Sequence, residues 1–355
     1  MKYILLQTTI GDYRQQVMKL LCDQLGDSFQ AYAGDQYFYP TLKTDIDIGS
    51  QLTLISNRYF LKRSFLWQTG MWKDALKAEG LIVEANPRIV STWLLIVLRK
   101  ILKRRTILWM HAWPRSGKNS RSDRLRHLLR LLGDKILVYT HTQEKELRQL
   151  MPNKIVMAAP NALYSVKQMY ARVDAQASDF IYVGRLVEDK KPMLLIQSFQ
   201  QALGSGNFKA KLAIFGDGPE RDKLQSYIGR YNLGHSIKLM GHEADINILR
   251  EYYNKSIASV SPGYVGLSIT QSISFGVPMI ISKHESHAPE IEAAKPDFNC
   301  EFFETDSVEA LSNTLIRFYR DREQWLLKRK LIVCDCRENY SIELMAKNIV
   351  KAFTE

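Results

Sequence analysis

Short apolar runs alternate with amphipathic stretches along most of the chain. In the first half, the apolar runs that predict strands lie at residues 3–8, 81–86, 106–112 and 135–140. Helical patterns lie between them, for example at residues 13–25 and 91–105. The pattern restarts in the second half, where the predicted strands lie at residues 179–184, 211–216, 236–241, 256–261 and 278–282. Strands that alternate with helices in this way are typical of α/β folds with parallel sheets.

A chain of 355 residues is long enough for two domains, each with its own core. The apolar rhythm lapses at residues 161–178, between the two series of predicted strands. We therefore predict a first domain at residues 1–165 and a second at residues 166–337, followed by a helix at residues 338–355. We expect both domains to be doubly wound, Rossmann-like and facing a cleft, because open α/β sheets bind ligands at the carboxyl ends of their strands.

The composition indicates a soluble globular protein with an anionic partner. Apolar residues make up 46% of the chain and charged residues 24%, and 49 basic against 37 acidic residues leave a net charge of +12. Such an excess suits nucleic acid, an acidic membrane surface or phosphorylated substrates. The sequence has no helix–turn–helix, zinc or RNA-binding signature, so nucleic acid is not the expected partner.

The chain is expected to be cytoplasmic. Its first apolar stretch is interrupted by Gln7 and lacks the pattern of a secretory signal. The longest apolar run, residues 93–98, is far shorter than the roughly 20 residues that cross a bilayer. Cysteines without zinc or disulfide spacing indicate reduced thiols, and these are Cys22, Cys300, Cys334 and Cys336.

The segment VSPGYVGLSITQSISFGVPMIIS, residues 260–282, predicts a strand, a turn, a short helix and another strand. Its turn contains no carboxylate, histidine or lysine. The backbone N–H groups of Gly266, Leu267 and Ser268 would stand at the start of the helix, where a phosphate is stabilised. Glycine also lets a bulky anion approach the backbone closely. An ordinary strand–helix turn is the alternative interpretation.

Two basic residues follow a predicted strand in the segment VGRLVEDKKP, residues 183–192. Arg185 and Lys190 would hold a diphosphate between a planar fork and a point charge, although a solvated basic turn is the alternative. Three predicted strands of the second half end in a glycine, namely Gly184, Gly216 and Gly241. Such glycines suit chain reversals at the carboxyl edge of a sheet, where they could line a nucleoside pocket.

Taken in order, the motifs VGRL…K, IFGDGP, LMG before a YY-ended helix, and VSPG…GLS…FGVPMI resemble the donor domain of GT-B glycosyltransferases of family four, a group of bacterial surface polysaccharide enzymes. The resemblance covers residues 179–304 well and the first half of the chain loosely. It implies a UDP- or GDP-sugar donor in the second domain, an acceptor on the first, no cofactor and no essential metal. It also implies that the final helix crosses back to the first domain.

The resemblance assigns roles to individual residues. Arg185 and Lys190 fall on the family's diphosphate-binding pair, and Gly266 to Ser268 fall on the amides that hold the distal phosphate. In the first half, His111 ends a predicted strand, where the family often has a histidine near the transferred sugar. Gly11 follows the first strand and could approach donor or acceptor. A structural histidine and a plain turn are the respective alternatives.

The chain departs from the family at the two positions where a glutamate is usual. Gly263 and Gln271 stand there instead. Gln271 can still form hydrogen bonds with ribose hydroxyls, whereas Gly263 has no side chain for the sugar. Glu290, and less securely Glu292, would then supply the missing hydroxyl contacts. The spacing of His284, His287 and Glu290 resembles that of metal ligands, but no further ligand accompanies them and we expect no metal.

Basic residues are concentrated in two stretches of the first half. One is residues 91–105, apolar early and strongly basic late. The other carries a run of basic residues, namely Arg115, Lys118, Arg121, Arg124, Arg126 and Arg130. These stretches suit anionic lipid head groups and a lipid-diphosphate acceptor, although a buried helix with solvated arginines is the alternative.

The expected function is transfer of a sugar, with retention of configuration, to a glycan or lipid-linked acceptor of a surface polysaccharide such as O-antigen or capsule. The enzyme would act in the cytoplasm or at the inner face of the membrane. Two alternatives stay open. One is a GT-B nucleotide-sugar epimerase, and the other is a catalytically silent GT-B subunit that binds a partner or a polyanion, which the glycine at 263 favours.

Overall fold

The computed structural model describes residues 2–39, 42–114, 118, 120–172 and 176–355. The chain divides into two compact units. Unit 1 comprises Met1–Leu163 and Ile342–Glu355, and unit 2 comprises Tyr164–Ser341. The division after Leu163 lies two residues before the predicted one after residue 165.

In the described part of the chain, unit 1 is built on an eight-stranded sheet with the order β4-β3-β2-β1-β5-β6-β7-β8. Its strands are β1 (Tyr3–Gln7), β2 (Phe29–Gly34), β3 (Leu52–Phe60), β4 (Phe65–Thr69), β5 (Gly80–Glu84), β6 (Arg105–Trp109), β7 (Lys135–Val138) and β8 (Ile155–Ala158). Neighbouring strands are parallel except β3 and β4, which form an antiparallel hairpin at one edge.

The helices between these strands are α1 (Gln15–Leu25), α2 (Trp72–Lys77), α3 (Val90–Ile101), α4 (Arg121–Leu132) and α5 (His141–Leu150). Side-chain caps fix where two of them begin. The hydroxyl of Ser120 accepts from the N–H of Asp123 at the start of α4, and the hydroxyl of Thr140 accepts from the N–H of Gln143 at the start of α5. Each cap satisfies one backbone donor that the first helical turn leaves unpaired.

Unit 2 is built on a six-stranded sheet with the order β11-β10-β9-β12-β13-β14, in which all neighbours are parallel. Its strands are β9 (Asp179–Val183), β10 (Leu212–Phe215), β11 (Ile237–Gly241), β12 (Ser256–Ser261), β13 (Met279–Ser282) and β14 (Cys300–Phe303). Its helices are α6 (Pro192–Leu203), α7 (Arg221–Arg230), α8 (Ile246–Lys255), α9 (Ser268–Ser274), α10 (Val308–Arg320) and α11 (Arg322–Tyr340).

The last helix, α12 (Ile342–Thr354), belongs to unit 1. Its apolar residues recur at helical spacing and join the core of that unit beside α1, and they are Ile342, Met345, Ala346, Ile349 and Phe353. The predicted helix at residues 338–355 therefore begins too early, because residues 338–340 end α11 and pack in unit 2.

The predicted α/β class with two sheets is confirmed, and all nine predicted strands form, each within a few residues of its predicted limits. The sequence pattern missed β2, β3, β4, β8 and β14. β3 has polar residues at half of its positions and little burial, so its apolar signal is weak. The predicted strand at 106–112 ends at Trp109.

Each sheet has one point from which the chain winds outward in both directions. In unit 1 this switch point lies between β1 and β5, and in unit 2 it lies between β9 and β12. Open α/β sheets bind ligands outside the carboxyl ends of the strands at such a point. The two switch points therefore direct the search for functional residues.

Candidate active site

The turns that follow β9 and β12 meet at the switch point of unit 2. The turn after β9 carries Arg185 and Lys190. The turn after β12 carries Gly263 and runs through Gly266 into α9. The amide of Tyr264 donates to the carbonyl of Asp189 over 3.0 Å, and the Lys190 ammonium group donates to the carbonyl of Tyr264. These reciprocal bonds hold the two turns together.

Lys190 is half-buried against the second turn, while Arg185 is exposed. The Lys190 nitrogen lies 4.4 Å from the centre of the Tyr264 ring. Burial, followed by the positive charge of Arg185, lowers the pKa of Lys190 to about 8. Because the positive charge of Arg185 affects the pKa of Lys190, the two cations are close enough to bind one anion.

Gly263 is buried where the turns touch. A Cβ atom at this position would lie 2.3 Å from the carbonyl oxygen of Asp189 and 2.9 Å from the carbonyl carbon of Lys190. The backbone that presents Lys190 therefore occupies the space that a side chain at 263 would need. A glutamate side chain at 263 would therefore clash with this backbone, a relation that the sequence did not reveal.

Three glycines lie at the carboxyl ends of neighbouring strands in unit 2, next to these turns. The N–H of Gly216 donates to the carbonyl of Gly241 over 2.7 Å, and the N–H of Gly184 donates to the carbonyl of Phe215 over 2.9 Å. Gly216 has φ of 139°, and a Cβ atom there would lie 1.8 Å from the carbonyl oxygen of Gly184. Only glycine fits at position 216.

The hydroxyls and the glutamine of the second turn have different surroundings. Leu267 and Ser268 are half-buried at the start of α9. The hydroxyl of Thr270 is buried and donates to the carbonyl of Leu267 over 2.9 Å. Gln271 is half-buried, and its amide donates to the hydroxyl of Tyr164 over 2.9 Å. This bond fixes the carboxamide, whose carbonyl oxygen is its acceptor for a hydroxyl.

The segment after β13 is hydrogen-bonded to the turn after β12. His287 accepts from the N–H of Val265 over 3.1 Å through Nδ1, and Nε2 lies 2.9 Å from the carbonyl oxygen of Ser282. This pairing requires the neutral ring with its proton on Nε2, and burial lowers the pKa of His287. Both ring nitrogens are thus engaged within the protein.

Glu290 is buried in a short 3₁₀ helix, Pro289–Ala293, and Glu292 is half-buried in the same helix. Both side chains have interaction partners within the protein. Among the residues that the structure describes, no group of three or more histidine, cysteine, aspartate or glutamate side chains could hold a metal ion.

Arg221, the first residue of α7, was missed by the sequence motifs. One of its terminal nitrogens, Nη1, is buried and has no hydrogen-bond partner among the described residues. It would lie 3.8 Å from a Cβ atom at Gly241, which places it beside the glycine-lined strand ends. A basic residue directly after the IFGDGPE turn was the only signal in the sequence.

In unit 1, the predicted residues Gly11 and His111 lie beyond the carboxyl ends of β1 and β6. Gly11 precedes a 3₁₀ helix, Asp12–Arg14. His111 does not end a strand as predicted: it follows the last residue of β6 by two positions. Its exposed ring packs on Tyr139 with 4.4 Å between ring centres.

The two basic stretches of unit 1 expose both charge and apolar side chains. We use the name apolar stripe for the residues between 40% and 71% exposed on the neighbouring helices α3 and α4, which are Leu94, Val97, Ile101, Leu125, Leu128 and Leu131. The exposed basic residues of the same stretches are Lys100, Lys103, Arg104, Arg121 and Arg124.

Three members of the predicted basic run have other roles or no description. Arg130 is fully buried and pairs with Asp123 over 2.8 Å, so it supports the fold and cannot contact a membrane. Lys118 pairs with Glu146 over 2.7 Å. Arg115 lies outside the described residues. In the described part of the chain, no helix is both long and apolar enough to cross a membrane.

Comparisons with known proteins agree with this arrangement. Residues 172–331 match the family of group 1 glycosyl transferases. An uncharacterised glycosyltransferase of Methanocaldococcus jannaschii is 25% identical over 274 residues, which cover 69% of this chain and 66% of that protein. The aligned part of this chain thus spans about two thirds of the relative's length.

Two solved structures share the fold over their whole length. The Anabaena protein HepE in complex with UDP has a TM-score of 0.70, with 13% identity and complete coverage of both chains. The lipopolysaccharide outer core galactosyltransferase WaaB has a TM-score of 0.64, with 14% identity over 99% of each chain. Residues 172–331 are thus similar to group 1 glycosyl transferases, and the chain as a whole has the two-domain GT-B fold.

Proposed function

We propose that this protein transfers a hexose from a UDP-sugar to a glycan or lipid-linked acceptor in the synthesis of a surface polysaccharide. The observation that carries the proposal is the pair Arg185 and Lys190, which the interlocked turns hold at the switch point of unit 2. The UDP bound by HepE and the lipopolysaccharide acceptor of WaaB support the choice of nucleotide and of acceptor class.

The proposed reaction depends on stabilising the negative charge that develops on the leaving diphosphate. As the bond from the anomeric carbon to the diphosphate breaks, negative charge grows on the diphosphate oxygens. The acceptor oxygen bonds to the same carbon, and the proton of the acceptor hydroxyl passes to the departing diphosphate. Arg185 and Lys190 stabilise that charge, and the amides of Gly266 to Ser268 are proposed to hold the distal phosphate. Two cations supply the role that a divalent metal has in other transferases, so we propose a metal-independent and retaining reaction.

Gln271 and the strand-end glycines complete the proposed donor site. The carbonyl oxygen of Gln271 accepts from a ribose hydroxyl, and the backbone at Gly184, Gly216 and Gly241 borders the nucleoside. Arg221 adds a donor beside Gly241. Glu290, in the first turn of its short 3₁₀ helix, is proposed to contact the sugar. His111 and Gly11 contact the transferred sugar or the acceptor.

An Arg185→Ala variant tests the donor site. Loss of a hydrogen-bonded charge on the diphosphate should weaken UDP binding about 10- to 100-fold, measured by isothermal titration calorimetry with and without EDTA. Lys209→Ala, an exposed lysine before the opposite end of β10, is the matched control and should bind UDP as the parent does. Equal affinities for the parent and Arg185→Ala would remove Arg185 from the site.

Products distinguish the proposal from its alternatives. A transferase releases UDP from the UDP-sugar and passes the sugar to an acceptor or to water. An epimerase returns an altered UDP-sugar, and a silent subunit leaves the UDP-sugar intact. Chromatography of the nucleotide products after incubation with UDP-glucose, UDP-galactose and UDP-N-acetylglucosamine separates the three outcomes.

We also propose that unit 1 docks on an anionic membrane. The apolar stripe can enter the head-group region while the exposed basic residues on α4, on α3 and just after α3 contact acidic lipids. Each such cation contributes roughly 1 kcal/mol near the surface, so five of them give reversible attachment. This surface would bring the protein to a lipid-linked acceptor.

A further inference from the structure

The switch point of unit 1 holds a carboxylate that no sequence motif indicated. Glu84 is the last residue of β5, and its Oε2 atom accepts from the N–H of Thr8, just beyond β1, over 2.9 Å. Glu84 is half-buried, so part of the residue remains open to solvent while its carboxyl is largely desolvated. β5 has the place beside the switch point of unit 1 that β12 has in unit 2.

Aromatic residues surround this carboxylate. Burial raises the pKa of the Glu84 carboxyl, and the N–H of Thr8, the charge of Arg14 and the nearby Tyr37 hydroxyl oppose that rise. Trp109 pairs with Glu84 across β5 and β6, and the Trp109 and Tyr139 rings lie 5.5 Å apart. His111 packs on the same tyrosine. The carboxylate thus lies beside aromatic side chains, of which Trp109 is fully buried, Tyr37 is half-buried and His111 is exposed.

Two arginines complete the group, which we name the Glu84 cluster: Glu84, Tyr37, Tyr139, Arg14 and Arg126. The Arg14 guanidinium lies 4.6 Å from the centre of the Trp109 ring and donates to the Asn161 carboxamide over 3.1 Å. Arg126 donates to the carbonyl of His111 over 3.5 Å. Burial and the positive charge of Arg130 lower the pKa of Arg126. The negative charge of Glu84 is among the influences that raise it.

Both arginines keep unused donors. Arg14 is only 8% exposed, and its Nη1 atom has no hydrogen-bond partner among the described residues; the same holds for Nε of Arg126. By contrast, the buried Arg99 of this unit donates to the hydroxyl of Thr106 and to three backbone carbonyls. A buried donor without a partner costs about 1–3 kcal/mol, so these N–H groups indicate a ligand.

The mixture of charges restricts the chemistry of that ligand. Glu84 would repel an anion, and the two arginines would repel a cation. A hydroxyl group donates to a carboxylate and accepts from a guanidinium at the same time. A neutral, polyhydroxylated ring satisfies all of these groups, and the aromatic side chains suit its apolar faces.

We propose that the Glu84 cluster binds the acceptor sugar of the transfer reaction, with Glu84 and Tyr37 on its hydroxyls and Arg14 on a hydroxyl oxygen. The inference rests on the proposed glycosyltransferase function. It assigns to unit 1 a neutral sugar acceptor, and it makes Glu84 the residue that selects the hydroxyl arrangement of that sugar. A site built to bond a hydroxyl strongly rejects an analogue that lacks it.

The test uses the full chain, the UDP-sugar that the parent hydrolyses, and a panel of octyl glycosides of glucose, galactose and N-acetylglucosamine. Glu84→Gln keeps an oxygen for the N–H of Thr8 but loses the charge, so the fold should persist, as circular dichroism can verify. We expect transfer to the octyl glycoside to fall roughly 10- to 100-fold, mainly through a higher acceptor KM, while the UDP dissociation constant stays unchanged.

Glu79→Gln is the matched control, because Glu79 is an exposed glutamate of the same unit that pairs only with Lys2. It should transfer at the parental rate, and Tyr37→Phe should show a smaller loss than Glu84→Gln. Saturation-transfer NMR of the same octyl glycosides provides a second readout, with signals that Glu84→Gln abolishes.

Each contrary result has a distinct meaning. Parental transfer by Glu84→Gln would overturn the assignment, as would a parent that binds UDP but neither binds nor glycosylates any glycoside of the panel. A variant that binds the UDP-sugar more weakly, but UDP normally, would place the cluster on the donor sugar instead. A parent that binds no UDP would instead contradict the proposed function itself.

Discussion

At the scale of the residue, Lys190 combines proximity to a second cation with partial burial. Its ammonium group donates to the Tyr264 carbonyl, faces the Tyr264 ring, and carries a pKa lowered to about 8. A lysine in this state is charged at neutral pH but holds its proton less firmly than an exposed lysine. An arriving diphosphate would stabilise the charged form.

The pH dependence of UDP binding tests this role. The diphosphate prefers charged Lys190, so affinity should be level from neutral pH to about 8 and should then fall as the free lysine loses its proton. The expected decline approaches tenfold per pH unit until the lysine of the complex itself titrates. Calorimetry on either side of pH 8 measures it.

Lys190→Arg is the informative variant, because arginine stays charged over this range. Its UDP affinity should be insensitive to pH where that of the parent declines. The same decline in both proteins would assign the titration to another group.

At the scale of the element, the turns after β9 and β12 act as one unit. Two hydrogen bonds join them, and Gly263 lets the backbones touch. His287 ties the second turn to the segment after β13. A perturbation of either turn should therefore reach Lys190.

Gly263→Ala should destabilise the protein and weaken UDP binding together. The added Cβ would lie 2.3 Å from a backbone oxygen, and such overpacking costs about 1–3 kcal/mol. Thermal unfolding and UDP titration measure the two effects. Restoring the family's glutamate at 263 should be at least as harmful.

Gly229→Ala should change the stability of the protein in the opposite direction to Gly263→Ala. Gly229 lies within α7, where a Cβ atom meets nothing within 4 Å, so alanine should stabilise the protein by up to roughly 1 kcal/mol. An unchanged melting temperature and UDP affinity in Gly263→Ala would show that the turns are not tightly coupled.

At the scale of the whole molecule, the positive charge is unevenly distributed. Residues 90–134 contain eleven basic and two acidic residues, a large part of the net charge of +12. Two of the eleven, Arg99 and Arg130, are buried and support the fold. The exposed ones that the structure describes lie on or next to the helices of the apolar stripe, the combination that favours an anionic membrane over nucleic acid.

Replacing Leu125 and Leu128 together by glutamate should abolish sedimentation with phosphatidylglycerol vesicles. Buried leucines contribute about 1.5–3 kcal/mol each, and the new charges oppose the lipid head groups, so affinity should fall well beyond tenfold. Leu327→Glu is the control, because Leu327 is 79% exposed on α11 of unit 2. Binding should also decline as salt screens the charges.

Equal vesicle binding by the double variant and the parent would exclude the apolar stripe. Equal binding to neutral phosphatidylcholine vesicles would exclude the basic residues as the source of selectivity. UDP binding should be the same in the double variant and the parent, because Leu125 and Leu128 lie in unit 1.

The sequence determined the α/β class, the restart of the pattern in the second half, and the turns that carry Arg185, Lys190 and Gly266, since these depend on local periodicity and on glycine. The pattern did not predict β3, whose apolar signal is weak, or β14, which has only four residues. The last helix was predicted, but its first residue was not. The helical pattern runs from the end of α11 into α12 with only Ser341 between them.

Only the tertiary structure decided how distant residues share one space. Gly263 looked like a lost glutamate until the backbone of Asp189 and Lys190 filled its place. Glu84 meets Thr8, Tyr37 and Arg14 because strand order brings β5 beside β1, far from it in sequence. Periodicity specifies which face of an element is buried, but the packing of strands 4.8 Å or so apart specifies which side chains meet.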